Sequence, residues 1–194
     1  MLRLIMLAVT TAGLNMATVA ETEKSHKPST STVVKRFWAA CVDEIEVPPA
    51  DGFYRIRHFG NNQAISRVIM DLIEKGKKVG TFTSPWIYQG IRNKTPVVGG
   101  YTLVTDYEGK PGLLLRTTAT KMLPFNEITE DETRLDGPAV RPLDAWRRVH
   151  WAYFQRELEP RSMEPTEEMP VTVEEFELVC TATDAAPQKQ NDAP

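Results

Sequence analysis

Apolar residues recur with a helical period in two segments of this chain. Between Asn61 and Gly76 they occupy positions i, i+3, i+4, i+7 and i+8, namely Ile65, Val68, Ile69, Leu72 and Ile73. Asn61 or Asn62 can cap the start of this helix, and Gly76 suits the left-handed position that follows its end. Pro142 suits the first position of a second long helix, whose apolar face comprises Leu143, Trp146, Val149, His150, Tyr153, Phe154 and Leu158. Both segments are therefore predicted to be amphipathic helices.

Shorter apolar segments bounded by Gly, Pro and polar residues predict strands at residues 53–58, 79–83, 101–106, 113–122 and 171–180. The third and fourth strands flank a turn rich in Gly and Pro, so we expect them to pair as a hairpin. The alternation of the last strand shifts at Glu174-Glu175, where an irregularity is expected. A short helix over residues 33–42 precedes the first strand. Together these elements favour a barrel-like α+β fold.

Composition fits one domain of ordinary type. Of the 194 residues, 41% are hydrophobic and 25% are charged, and the net charge is −3. Residues 55–100 carry eight Lys and Arg against two acidic residues, whereas residues 127–175 carry thirteen acidic residues against six Arg. A basic segment inside an acidic protein suits a focused site for one nucleotide or a short single strand better than the coating of long duplexes. Alternatively, the opposite charges face each other across the fold.

The two ends of the chain differ from its middle. Residues 1–20 combine one Arg, an apolar stretch and a small-residue ending, which is typical of a secretory signal peptide cleaved after Ala20. Residues 21–32 are polar and indicate a linker, residues 33–180 form the domain, and residues 181–194 are expected to be a disordered tail. These features predict an exported protein, with a cytoplasmic protein as the alternative if translation starts further along the chain.

The Cys and His residues limit the possible cofactors. Cys41 and Cys180 either form one disulfide after export or remain buried thiols. The three His residues, His26, His58 and His150, form no metal-binding motif with them, so we expect neither a metal nor another cofactor. His150 lies on an apolar helix face, where a core role is expected.

The segment from Gly76 to Trp86 carries the clearest chemical signal. It joins two ammonium groups, three hydroxyls and an indole at a helix-to-strand junction: Lys77, Lys78, Thr81, Thr83, Ser84 and Trp86. Cations suit phosphates, hydroxyls suit hydrogen bonding, and an aromatic ring suits base stacking. The alternative is a solvated helix end followed by an ordinary strand, with Trp86 packed into the core.

Other side chains are candidates for ligand binding outside this segment. Arg55, Arg57 and Arg116 can meet phosphate, and Arg116 is the best placed because it lies inside a predicted strand. A cross-strand salt bridge is the alternative for these arginines. His58 precedes Phe59-Gly60 and is expected near the binding cleft that the segment from Gly76 to Trp86 would line.

The chain resembles the ASCH domain family of the PUA-like superfamily. The Gly76-Lys77-Lys78-Val79-Gly80-Thr81 element matches the family's Gly-x-Lys-x-x-Thr hallmark. Further landmarks follow in the expected order from about residue 33 to 180: Phe37-Trp38, His58-Phe59-Gly60, Ser84-Pro85-Trp86, Val98-Gly99-Gly100-Tyr101, Leu115-Arg116-Thr117-Thr118, Leu123-Pro124-Phe125, Trp146-Arg147-Arg148-Val149-His150-Trp151 and Met169-Pro170-Val171. The resemblance implies a PUA-like fold, which is a small mixed or antiparallel β-barrel with flanking helices.

The resemblance also implies a chemistry. The chain is similar to ASCH amidohydrolases that release acetate from N4-acetylcytidine. This similarity implies that Lys78 is the base, Thr81 the nucleophile and Asp136 the acid. Glu132 and Asp131 are competing acids. In a regular strand Lys78 and Thr81 point to opposite faces, so they converge only if the chain bends at Gly80.

Two further functions stay open at this point. The chain also resembles ASCH proteins that cut RNA without a metal, and in that case Lys78 would stabilise the phosphate. It resembles modules that bind nucleotides without chemistry as well, and in that case Lys78 and Trp86 would hold the ligand. The expected partner in all three cases is a nucleoside or a single-stranded RNA.

Overall fold

A mixed five-stranded sheet organises the protein. The computed structural model describes residues 30–41, 45, 54–89 and 95–184. Its strands are β1 (Tyr54–His58), β2 (Gly80–Thr83), β3 (Tyr101–Thr105), β4 (Pro111–Pro124) and β5 (Pro170–Thr181). Its helices are α1 (Thr30–Cys41), α2 (Gln63–Glu74), α3 (Pro85–Tyr88), α4 (Glu130–Thr133) and α5 (Leu143–Leu158), with 3₁₀ turns at Phe125–Glu127 and Glu159–Arg161. The predicted signal peptide, residues 21–29 of the predicted linker and residues 185–194 of the predicted tail lie outside the described residues.

The strands lie in the order β1-β3-β4-β5-β2, and only β1 and β3 are parallel. Within the described ranges β1 and β2 are edge strands that do not pair with each other, so the sheet is open rather than the closed barrel we predicted. The reason is the offset along the long β4–β5 ribbon. β3 pairs with residues 111–116 of β4, whereas β2 pairs with residues 172–175 of β5, which face the other half of β4.

Helix α2 forms for the local reasons that its sequence indicates. The Asn62 side chain accepts a hydrogen bond from the Ile65 amide at 2.9 Å, which confirms the predicted cap. Gly76 has φ +62, and the amides of Gly76 and Lys77 donate to the carbonyls of Ile73 and Leu72. This is a Schellman ending, as the Gly predicts.

The predicted apolar stripe of α2 is only partly buried by the described residues. Ile73 is buried and Ile69 packs at the edge of a core cluster, whereas Ile65 and Val68 are exposed.

Helix α5 covers the main core. Its Trp146, Phe154 and Leu158 are fully buried and belong to the same cluster as Val171 and Val173 of β5. The predicted face is correct except for Val149, which is exposed, and Pro142 lies at the cap position, one residue earlier than predicted. No helix in the described parts of the chain combines the length and apolar character needed to cross a membrane.

The predicted hairpin is confirmed, because β3 and β4 pair directly along the chain. The register of β4 against β5 shifts between Thr117 and Ala119, next to Glu175, so the extra residue, Thr118, lies on β4. The sequence pattern predicts an irregularity at this level of the sheet, but on β5 instead of β4.

A disulfide joins the two ends of the domain. Cys41 of α1 and Cys180 of β5 are bonded, with their Cα atoms 5.8 Å apart. Both lie in a buried cluster with Phe37, Tyr101 and Leu114. Of the two alternatives left open by the sequence, the structure has the disulfide.

Candidate functional site

The segment that leads into β2 is held from both sides. The Lys78 amide donates to the carbonyl of Leu72 at the end of α2, and the amides of Val79 and Gly80 both donate to the carbonyl of Leu135. A Cβ atom on Gly80 would lie 2.7 Å from the Leu135 Cβ and 2.9 Å from the Glu174 carbonyl oxygen. Glycine is therefore required where β2 approaches the loop that carries Asp136.

This anchoring brings Lys78 and Asp136 together. The Lys78 ammonium donates to Asp136 Oδ1 at 2.5 Å, and the two side chains are only 7% and 8% exposed. The Gly137 amide also donates to Asp136 Oδ1, and Arg141 donates to the carbonyls of Asp136 and Lys77. Lys78 and Asp136 thus form a buried ion pair that further hydrogen bonds hold in place.

His150 of α5 adds a third member to this cluster. Its Nε2 lies 3.6 Å from Asp136 Oδ2, and its ring stacks on Trp146 at 4.4 Å between centroids. Its Nδ1 lies 3.1 Å from the Trp146 carbonyl oxygen, which assigns the proton to Nδ1 in the neutral ring. Burial lowers the pKa of His150 to about 4, with the Lys78 ammonium adding to the decrease and Asp136 opposing it. His150 is therefore neutral at pH 7.

The stability of the protein should fall as the pH falls from about 6.5 to about 4. The folded-state pKa of His150 lies below its ordinary value, so the unfolded chain takes up the proton first. The free energy of unfolding should lose about 3 kcal/mol across this window from His150 alone. Urea unfolding of wild type and His150→Asn between pH 4 and 8 measures this difference. His58→Asn, at an exposed position, serves as the control, and parallel wild-type and His150→Asn curves would contradict the prediction.

A second buried polar cluster lies on β1, β3, β4 and β5. Glu174 is 2% exposed, and its Oε1 accepts hydrogen bonds from Arg55 and, at 2.7 Å, from the Thr117 hydroxyl. Arg55 also donates to the Thr102 hydroxyl at 2.6 Å. Arg57 Nη1 lies 3.7 Å from Glu174 Oε2. These side chains bridge β1 and β5, which are not neighbours in the sheet.

Thr81 belongs to the Glu174 side of the sheet. It pairs directly opposite Glu174 in the β2–β5 register and is 6% exposed. Within the described ranges no hydrogen bond joins Thr81 to the Lys78 ammonium, whose partner is Asp136. Phe82, the next residue of β2, points to the other face and packs against Trp146 and His150.

The other predicted residues of this segment occupy varied environments. Lys77 is exposed, and Thr83 is 1% exposed. The Ser84 hydroxyl caps α3 by accepting from the Trp86 amide at 3.3 Å. Trp86 is half-buried against the main core. Thr83 therefore lies inside the fold, while Lys77 lies on the surface.

Two predicted binding residues lie at the surface. Arg116 forms a cross-strand ion pair with Glu177 at 3.0 Å, in which both side chains are more than one third exposed. His58 is exposed at the end of β1, with its ring centroid 6.0 Å from that of Tyr107. Neither residue contacts the buried Lys78–Asp136 pair.

The three candidate acids differ in their contacts. Glu132 completes the capping box of α4 with Thr129, and its other oxygen accepts from Lys121 at 2.5 Å. Burial favours the neutral form of Glu132, but these hydrogen bonds lower its pKa overall. Asp131 is exposed. Only Asp136 of the three contacts Lys78.

Glu174 was not among the residues that the sequence analysis selected. It follows Val173 and has the same parity as Phe176, Leu178 and Cys180, so it occupies an apolar face of the strand. An acidic residue on such a face was the available signal for a buried charge.

The described residues offer no cluster of three His, Cys, Asp or Glu side chains suited to a metal ion. Two open grooves of about 680 and 440 Å³ run along α5 and share Trp151, Ala152 and Gln155. Neither groove is lined by Lys78, Asp136 or Glu174.

Comparison with known proteins identifies the family. The family model of the ASCH domain matches residues 55–180. The fold is similar to that of an ASCH domain from Lactobacillus crispatus JV V101, with 21% identity, a TM-score of 0.63 and coverage of 81% of this chain and 98% of that one. It is also similar to a protein from Enterococcus faecalis V583, with 25% identity, a TM-score of 0.68 and coverage of 77% and 89%. No curated protein matches the chain.

The chain belongs to the ASCH domain family. Its mixed sheet with flanking helices agrees with the PUA-like fold that the resemblance implied.

Proposed function

We propose that this ASCH domain binds a nucleoside or a short RNA and hydrolyses the N-acetyl group of an N4-acetylcytidine-type modified base. The observation that carries the proposal is the buried Lys78–Asp136 pair. Burying two charges is costly even when they are paired, so such a pair is often retained for function rather than for stability. Its position at the family's Gly-x-Lys-x-x-Thr element supports the assignment.

The proposed reaction is acyl transfer through Thr81. Passage of a proton from Lys78 to Asp136, which accepts its hydrogen bond, leaves a neutral amine that can accept the proton of the Thr81 hydroxyl. The Thr81 oxygen attacks the acetyl carbonyl, and Asp136 then delivers the proton that it took from Lys78 to the departing N4 amine. Water hydrolyses the acetyl-Thr81 ester, which releases acetate and restores the hydroxyl. Substrate binding must bring Thr81 and Lys78 within proton-transfer distance.

The test is acetate release from N4-acetylcytidine by wild type, Thr81→Val and Lys78→Met. We expect both variants to lose about 10²- to 10⁴-fold in kcat/KM, because each removes a group that moves a proton or forms the covalent bond. Thr81→Val is the cleaner variant because it preserves the shape of a buried side chain. Mass spectrometry of the quenched wild-type reaction should detect the acetylated enzyme.

Two matched variants serve as controls for this test. Lys75→Met removes an exposed lysine at the end of α2, and Thr166→Val changes an exposed threonine. Both should retain wild-type turnover. Near-UV circular dichroism must show that Lys78→Met is folded before its rate is interpreted. Full turnover by Thr81→Val would refute the proposed nucleophile.

A second candidate function is nucleotide binding without chemistry. It is favoured by the position of Thr81, which faces Glu174 rather than the Lys78 ammonium. Under this alternative N4-acetylcytidine or a single-stranded RNA binds but is not converted. Cleavage of a labelled RNA that depends on Lys78 would instead place the protein among metal-independent ribonucleases.

We further propose that the domain works outside the cytoplasm. The Cys41–Cys180 disulfide supports export, since such bonds persist chiefly in oxidising compartments. The N-terminal residue of the mature protein tests this proposal. A chain that begins at Glu21 agrees with it, and an uncleaved cytoplasmic chain contradicts it.

A further inference from the structure

We propose that Arg57, Thr83 and Tyr153 form a subsite for a phosphate group, so that the ligand is a phosphate ester rather than a free nucleoside. The shared chemistry is an anionic phosphate oxygen, supplied either by a 5′-mononucleotide or by an RNA backbone. This inference rests on the proposed ligand class, but not on the proposed hydrolysis.

Two buried side-chain atoms in this part of the fold lack an ordinary hydrogen-bond partner among the described residues. Arg57 Nη1 is buried and donates no hydrogen bond to the described residues, since its 3.7 Å separation from Glu174 is too long. The Thr83 hydroxyl is also buried without a hydrogen bond of ordinary geometry, although it lies close enough to the Tyr153 phenol to lower its pKa. Buried donors without an acceptor are costly, and an incoming oxygen atom would satisfy them.

The protonation of Arg57 and Tyr153 points the same way. Arg57 lies beside Glu174, whose Oε1 already accepts a hydrogen bond from Arg55. Glu157 is a further carboxylate near Arg57. Burial alone lowers the pKa of Arg57, but its phenol and carboxylate neighbours raise it overall, so the guanidinium keeps its charge. Burial raises the pKa of Tyr153 to about 12, so its hydroxyl remains a donor at neutral pH. The subsite therefore offers a charged guanidinium and a phenol donor, and both suit a phosphate oxygen.

The subsite is placed to act together with Thr81. Thr83 lies two residues beyond Thr81 on β2, so both side chains point to the Glu174 face about 7 Å apart. The Arg57 side chain is 12% exposed, and Tyr153 is half-buried, so solvent reaches the edge of the subsite. A ligand with its base at Thr81 can thus extend its phosphate toward Arg57.

Calorimetry tests this subsite by measuring the binding of four ligands: inorganic phosphate, cytidine, cytidine 5′-monophosphate and a four-nucleotide RNA. Wild type is compared with Arg57→Met, with Tyr153→Phe, and with Arg134→Met as an exposed control arginine. We expect Arg57→Met to weaken phosphate and phosphate-ester binding by about 10- to 100-fold and to leave cytidine unchanged. Tyr153→Phe, which removes only a hydroxyl, should weaken the same ligands by several-fold. It keeps the test decisive if Arg57→Met fails to fold.

The outcomes separate this inference from the proposed hydrolysis. A preference for cytidine 5′-monophosphate over cytidine that disappears in Arg57→Met identifies the mononucleotide as the source. An effect confined to the RNA identifies the backbone phosphate. Affinities for every phosphate-bearing ligand that are equal in wild type, Arg57→Met and Tyr153→Phe would overturn the subsite, even if acetate release is observed. Absence of acetate release with Arg57-dependent phosphate binding would reject only the hydrolase.

Discussion

Replacing Lys78 by methionine should destabilise the protein by about 3–5 kcal/mol, because the change leaves the Asp136 carboxylate buried without its cation. Methionine is close to the lysine stem in length, so the loss reports the charge rather than a cavity. Urea unfolding at pH 7 measures it. The comparison is Lys75→Met, which breaks an ion pair whose two side chains are more than half exposed and should cost at most about 0.5 kcal/mol.

Removing both charges should reverse most of this loss. In the double variant Lys78→Met/Asp136→Asn the amide oxygen can still accept from the Gly137 amide, but no buried charge remains. We expect its stability to lie within about 1 kcal/mol of wild type, since buried ion pairs can often be replaced at little cost. A double variant as unstable as Lys78→Met would mean that the pair itself stabilises the fold. Recovery of stability without recovery of activity would support a functional reason for the charges.

Helix α2 was predictable from sequence because its determinants are local. The Asn62 cap and the Gly76 ending both act within one turn of the helix, so their residue types are sufficient to locate its ends. The packing of α2 was less predictable. The stripe that contains Ile65 and Val68 has helical spacing, but spacing alone does not specify how much of the stripe is covered.

The open sheet could not be predicted because it depends on offsets between distant strands. Whether β1 reaches β2 is decided by where β3 lies on β4 and where β2 lies on β5. Each strand sequence is compatible with several such offsets. The contact between Arg55 and Glu174, which are 119 residues apart, follows from the same offsets and is equally hidden in the sequence.

Part of the candidate site could be predicted from the family resemblance. The resemblance selected Lys78 and Asp136, and the structure places these two residues in contact across 58 residues of sequence. The expected convergence of Lys78 with Thr81 depends on the backbone at Gly80. There the close approach of Leu135 accounts for the glycine without a contact between the two side chains. The proposed catalytic group thus depends on ligand binding for its final geometry.

Reduction of the Cys41–Cys180 disulfide should lower the free energy of unfolding by about 2–5 kcal/mol. The bond spans 139 residues, and a chain-entropy argument places the effect of so long a loop near the upper end of that range, about 5 kcal/mol. The physical reason is that the bond restricts the unfolded chain while both Cys side chains stay buried in the folded one. Guanidinium unfolding of the same protein with and without reductant measures the difference.

The double variant Cys41→Ala/Cys180→Ala is the control for this measurement, because reductant should not change its stability. Equal midpoints for the oxidised and reduced wild-type protein would contradict the prediction. The result also bears on the compartment of the protein. Such a bond contributes a large part of the free energy of unfolding of a small domain with an open sheet, since folded proteins are stable by only about 5–15 kcal/mol. If the reduced form is marginal, the domain depends on an oxidising environment, which agrees with the proposed export.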